Sequence, residues 1–304
     1  MRYLLFFLLS ISLFAQQKAV TVTTEKSGQG ADTRVTFTAN NLTPGQKVLV
    51  MNLRGGSYSG AGATTSVTEL SFGANRLFSL NKVTATPGYR YRWYGGCLNV
   101  EPDFVLYLLP FAAGKTARIQ EMEHLDKTIN GKAPPENWTA YAMTAVAGDT
   151  VFAARRGTVI EVVAHREAPR SNRLNFARAV NYLVVEHADC TRAKYAMFAR
   201  EGIFPVVGSE VEAGDPLGTL MDGQNFSTGT HLRFMVYYPV LDRKKLLKEQ
   251  QREGPAEWAY VRPKFAGVGF ISETGNYTAE HPRDVIFQEM SKRQIKRWTK
   301  LRKQ

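Results

Sequence analysis

Val146-Ala147-Gly148-Asp149-Thr150-Val151 and Val211-Glu212-Ala213-Gly214-Asp215-Pro216-Leu217 are near repeats of one another. Each sets a Gly-Asp pair among apolar residues, and glycine enters positive φ without steric cost, so each phrase is a turn between strands. Two related hairpins of this kind are what a small barrel or sandwich is made from. The chain around them agrees. Thr150 to Val163, Asn181 to Glu186, Lys194 to Ala199, Glu210 to Leu220 and His231 to Tyr237 all read as strands, with Gly157, Gly208 and Gly218 as punctuation. This unit is predicted to cover residues 103–240 and to open with the apolar stretch Phe104 to Phe111.

Working outward, the segment 16–102 alternates apolar and polar residues in short runs, as in Val20-Thr21-Val22-Thr23 and Arg34-Val35-Thr36-Phe37-Thr38. Period two marks half-buried strands. Lys47 to Leu53, Ser66 to Phe72, Arg76 to Leu80 and Tyr89 to Tyr94 continue the pattern, separated by Thr43-Pro44-Gly45, Gly55-Gly56 and Thr86-Pro87-Gly88. So many short strands in so few residues predict an immunoglobulin-like β-sandwich. Tyr89, Tyr91 and Trp93 share one face of a strand, which is expected to pack in the core rather than stack on sugars. After Pro239 the composition turns helical. The expected C-terminal extension, 241–304, ends in a helix where eight Lys or Arg from Arg283 onward face only Asp284 and Glu289. The fold class is therefore mainly β: a sandwich, a second barrel or sandwich domain, and a basic terminal helix.

Composition bounds what such a chain can be. With 304 residues, 44% hydrophobic and 22% charged, it is neither disordered nor collagen-like nor a mini-protein. A net charge of +12 favours an anionic polymer, surface or acidic protein as partner, and nothing in the motifs points to nucleic acid. Arg2, the apolar run Leu4 to Phe14 and Ala15 before Gln16-Gln17 form a signal peptide, predicted over 1–15. The run is too short for a membrane span, which needs about 20 residues. The protein is expected to be exported to the periplasm or surface of a bacterium. In that compartment Cys97 and Cys190 can form one disulfide between the two halves, or remain two separate thiols.

Three phrases together carry a resemblance. They are Gly148 to Val159, Tyr182-Leu183-Val184-Val185-Glu186-His187 followed by Lys194-Tyr195-Ala196-Met197-Phe198, and Val211 to Gly218 followed by Ser227-Thr228-Gly229-Thr230-His231-Leu232-Arg233-Phe234. In that order they resemble the LytM/lysostaphin family of peptidoglycan zinc endopeptidases. The resemblance implies a zinc ion held by a His and an Asp ahead of the first hairpin and by the second His of a His-x-His pair. Such a metal activates water and polarises the scissile carbonyl. Two more His, one in a Tyr-Ala-His phrase and one opening the pair, are implied near the water.

Carried over position by position, most of these residues are missing. Where the first His and Asp belong, the chain reads Asn137-Trp138-Thr139-Ala140-Tyr141-Ala142-Met143-Thr144, with no His and no carboxylate after Glu136. Met197 stands at the Tyr-Ala-His position and Arg233 at the last ligand, leaving His231 as the one retained family position. A guanidinium stays protonated and offers no lone pair to a metal. Other sets, such as His187, Cys190 and His231, lack ligand spacing, and His124, His165 and His281 read as surface or capping residues. The expected function is an exported, non-catalytic LytM-like binding or regulatory module at the cell envelope. Its groove is expected to be lined by His231, Arg233, Trp138, Tyr141 and Met197, with no metal and no cofactor, and to hold peptidoglycan or an envelope protein. The terminal helix could add a contact to an anionic surface. The alternative is a zinc-dependent peptidoglycan endopeptidase with ligands elsewhere in the chain.

Overall fold

The computed structural model describes residues 19–59, 64–123, 135, 137–167, 180–223, 229–248 and 257–301. Residues 1–18 (where a signal peptide is expected), His124, Glu136, Ser227, Thr228 and the last three residues lie outside them.

The chain is mainly β. Its first unit comprises β1 (Val20–Ser27), β2 (Arg34–Asn41), β3 (Lys47–Arg54), β4 (Ser57–Ser59), β5 (Thr65–Leu70), β6 (Gly73–Ala85) and β7 (Gly88–Gly95). These pair as one sheet in the order β1-β2-β6-β4 and another in the order β5-β3-β7. Alternation explains the sandwich: in β2, Val35, Phe37 and Ala39 are buried while Arg34, Thr36 and Thr38 are not. They meet Leu49, Met51 and Leu70 from the facing sheet and Leu80 from the neighbouring strand β6. Tyr89 and Tyr91 pack against this core, and their hydroxyls donate to the carbonyls of Val22 and Val20 at 2.9 and 3.2 Å, tying the sheets together.

The second unit comprises β8 (Leu106–Tyr107), β9 (Thr116–Glu121), β10 (Tyr141–Thr144), β11 (Thr150–Phe152), β12 (Gly157–Val163), β13 (Asn181–Glu186), β14 (Arg192–Ile203), β15 (Glu210–Val211), β16 (Pro216–Leu220) and β17 (His231–Pro239). Its main sheet runs β15-β12-β13-β14-β17-β10-β9 and does not close into a barrel. The two Gly-Asp turns are structural twins. Gly148 and Gly214 both have φ of +83°. Asp149 and Asp215 each accept a backbone N–H three residues back, from Val146 at 2.6 Å and Glu212 at 2.8 Å. The turns also bond across to each other's strands: Gly148 N–H donates to Leu220, and Gly214 N–H donates to Ala153.

Beyond Pro239 the structure departs from a purely helical extension. Helices α1 (Arg243–Lys248), α2 (Arg283–Phe287) and α3 (Lys292–Leu301) are present, but β18 (Trp258–Val261), β19 (Lys264–Phe265), β20 (Gly269–Phe270) and β21 (Gly275–Thr278) lie between them. β18 pairs with β17 and β21 with β9, so the extension completes the main sheet. Strands of two to four residues are too short to display a period. The terminal helix docks by Trp298, whose ring meets Phe287 edge-on at 5.0 Å. No helix among the described residues is long and apolar enough to cross a membrane.

Cys97 and Cys190 are bonded, with Cα atoms 6.0 Å apart, and so fasten the sandwich to the β13–β14 turn. Glu186 anchors the same contact. It accepts the Gln46 N–H at 2.6 Å and two Arg192 N–H groups at 3.1 and 2.9 Å. Nearby, burial pulls Lys47 down to about 8, while its ammonium donates to the carbonyls of Thr43, Pro44 and Gly45.

Candidate functional site

Strand β17 is the centre of the second unit. Leu232, Phe234 and Val236 are fully buried and belong to the core, so period two turns His231, Arg233, Met235 and Tyr237 to the opposite face. Register then fixes their neighbours. Arg233 lies opposite Ala142 of β10 on one side and Ala196 of β14 on the other. Along the same face, Met235 faces Lys194, and Tyr237 faces Arg192 and Tyr260.

His231 and Arg233 are in contact. Arg233 Nε–H donates to His231 Nε2 at 3.1 Å, and His231 Nδ1 lies 2.8 Å from the Gly229 carbonyl. That pattern makes Nδ1 the protonated nitrogen and keeps the ring neutral. Burial lowers the His231 pKa, and the Arg233 charge lowers it further against the opposing effect of the Gly229 bond. Burial also depresses Arg233, and among the described residues no acidic group acts on it. It remains a cation.

The other sequence-derived positions separate. Trp138 lies on the outer surface, its ring 4.7 Å from that of Tyr260, beside Tyr237 rather than Arg233. Tyr141 does not line a groove. It pairs in register with Phe234, is fully buried, and packs its ring on Phe265. Met197 is also inside the core at 1% exposure. It is the extra residue of a bulge, because Tyr182 pairs with Ala196 and Asn181 with Phe198, and its φ is +89°. Residues that the spacing did not single out share the outer face. Lys194 lies with its ammonium 3.8 Å from the centre of the Tyr182 ring, and the Tyr182 hydroxyl donates to Glu161 at 2.5 Å. Alternation from Tyr195, which is buried, could have placed Lys194 outward.

The donor set does not fit zinc. The ligand position carries a guanidinium, its neighbour His231 already accepts a hydrogen bond through Nε2, and Cys190 is in a disulfide. Among the described residues no three His, Cys, Asp or Glu side chains converge as a metal site. His187 lies elsewhere, at a cleft of about 790 Å³ between the two units that is also lined by Leu42, Phe72, Val207 and Glu186.

Residues 136–247 match the model of peptidase family M23, so this region is a domain of M23, LytM-like type. No curated protein matches the chain. Similar solved structures include the SpoIIQ-SpoIIIAH pore forming complex, at 14% identity over 48% of this chain and 99% of that one, with a TM-score of 0.27. A zinc containing peptidase from Vibrio cholerae is 15% identical over 71% of this chain and 81% of its own, with a TM-score of 0.29. Csd3 from Helicobacter pylori is 15% identical over 92% and 77%, with a TM-score of 0.27.

Proposed function

We propose that the chain is an exported M23-type protein that binds at the cell envelope without cutting, using the outer face around Arg233 to hold peptidoglycan or a partner protein. The observation that carries this reading is the Arg233–His231 contact of 3.1 Å. A fixed positive charge stands where the family's chemistry needs a cation's ligand, and an ammonium- or guanidinium-type side chain repels a metal ion rather than coordinating it. The rest of the fold is retained, and a retained sheet with altered chemistry is what a binding module needs. The basic helix α3 supports a second contact, to an anionic surface, because Lys292, Arg293, Lys296, Arg297 and Lys300 all lie on an element docked by one apolar side.

Elemental analysis of the purified chain, with digestion of purified peptidoglycan in parallel, tests the proposal. No stoichiometric zinc and no released fragments are expected, and Arg233→His alone should not create cleavage, since one ligand is not a site. One zinc per chain together with zinc-dependent release of fragments would overturn it in favour of an endopeptidase.

A further inference from the structure

We infer that Arg233, with Lys194 beside it, binds the terminal carboxylate of an extended peptide lying along β17. This rests on the binding-module reading above and names its ligand class. Arg233 spends only its Nε–H on His231, and among the described residues its two terminal nitrogens meet no carboxylate and no hydrogen-bond acceptor. Its cross-strand neighbours are Ala142 and Ala196, which carry no polar side-chain group to compete for those donors.

Lys194 is the diagonal neighbour, since Ala196 faces Arg233 and Lys194 faces Met235. Diagonal positions on one face lie about 7–8 Å apart, close enough for one anion to touch both side chains. Lys194 makes no ion pair among the described residues and rests on the Tyr182 ring at 3.8 Å. The described acids on this face are engaged: Glu161, two strands from Lys194, by Tyr182, and Glu186 by Arg192 and the Gln46 N–H. Burial lowers both cations, and only Lys194 has an acid, Glu161, acting against that effect. An oxyanion bound between them would stabilise both charges, and a planar carboxylate matches the guanidinium fork bidentately.

The size of the ligand follows from the strand. Tyr237 is four residues from Arg233 on β17, which is roughly 13 Å at the usual strand rise. There Tyr237, Tyr260, Trp258 and Trp138 form an aromatic row, with rings 4.7 to 6.4 Å apart. A peptide of about four extended residues with its carboxylate on Arg233 reaches this row. A free inorganic anion would make no use of it.

The test is calorimetric titration of the full chain with N-acetylated tetrapeptides ending in Ala-Ala, as free acids and as C-terminal amides, in L,L and D,D forms. The acids are expected to bind about tenfold or more tightly than the amides, the loss of a charge-assisted bidentate pair. Arg233→Gln should erase that preference and Lys194→Gln should reduce it. A D,D preference assigns the ligand to a cell-wall stem peptide and an L,L preference to a protein C-terminus; both support the carboxylate site. Equal affinity of acid and amide, no binding of either at millimolar concentration, or an Arg233→Gln chain that keeps the preference would overturn it. Displacement by equimolar inorganic phosphate would overturn the peptide assignment. If Arg233→Gln does not fold, the acid–amide comparison on the unaltered chain and Lys194→Gln decide the matter. Sedimentation with whole peptidoglycan separates the two levels: binding without cleavage but with no acid preference removes this inference alone.

Discussion

Replacing the disulfide should cost the second domain a third or more of its margin of stability. Cys97 and Cys190 are 93 residues apart, and nearly all of the loop they close belongs to that domain. Loop-closure entropy for that separation corresponds to about 4.6 kcal/mol at 25 °C, against a typical total of about 5–15 kcal/mol for a domain. Cys190 also has φ of +64°, in a turn where its N–H donates to the His187 carbonyl at 3.0 Å. A non-glycine residue there costs about 1–2 kcal/mol, of which glycine recovers only part because it also frees the unfolded chain. Cys97→Ser with Cys190→Ser is therefore expected to lose about 4–5 kcal/mol, and Cys97→Ser with Cys190→Gly about 0.5–1 kcal/mol less. Guanidinium unfolding followed by tryptophan fluorescence, without reductant, measures both. A loss under about 1.5 kcal/mol for the Ser pair, or a Gly variant no better than the Ser variant, would refute the entropic account and the strain at Cys190 respectively.

Acid should destabilise the fold before the carboxylates protonate. Burial and then the Arg155 charge hold His187 down near 4, from an ordinary value of 6.5, so between those pH values the unfolded chain binds a proton that the folded chain refuses. Stability is thus full above about pH 6.5 and falls by about 3 kcal/mol as pH drops to 4; His187→Asn, which keeps a donor for the Arg156 carbonyl, should flatten that slope in thermal melts. Arg155 is fully buried, and its guanidinium bonds Glu289, Asp189, Asp103 and the Tyr107 hydroxyl. Arg155→Met strands Asp189 at 4% side-chain exposure, and chemical denaturation should report a loss of about 3–5 kcal/mol. Two glycines should respond differently to alanine: at Gly148 a Cβ meets open space and only φ resists, costing about 1 kcal/mol, whereas at Gly157 it would lie 2.4 Å from the Glu186 carbonyl oxygen and cost about 2–3 kcal/mol. Equal losses for the two would mean that the β12–β13 pairing yields more easily than its geometry implies.

The strands of the sandwich were legible because each has one wet and one dry face. Val35, Phe37 and Ala39 against Arg34, Thr36 and Thr38 is a pattern that only a half-buried strand explains. The Gly-Asp turns were legible for a different reason: their chemistry is local, and both adopt the same φ and the same carboxylate-to-backbone bond. What failed to show was either too short or set from a distance. β4 has three residues and β19 and β20 have two, less than a full alternation. The Arg155 network and the return of β18 to β17 depend on where remote segments arrive, and composition carries no trace of that; for the same reason the sequence offered the Cys97–Cys190 disulfide only as one of two outcomes.

The candidate site shows the same division on a smaller scale. That Arg233 replaces a ligand was visible in one phrase, because a single residue separates it from His231 and alternate positions on a strand share a face. That Tyr141 turns inward was not, since it follows from Ala142, rather than Tyr141, lying opposite Arg233. A slip of one residue in that pairing would have put the Tyr141 ring beside the guanidinium and an alanine in the core. The bulge at Met197 acts likewise, reversing the alternation of β14 just past Ala196, so that Phe198 turns into the core and the outward row beside Arg233 ends at Ala196. Strand register is fixed by backbone pairing and by the buried row Leu232, Phe234 and Val236, none of which depends on what the outer residues do. The outer face was therefore free to change its chemistry without changing its shape. In a metal enzyme of this architecture the same register gathers ligands around a cation, and here it gathers two cations around the place where an anion fits.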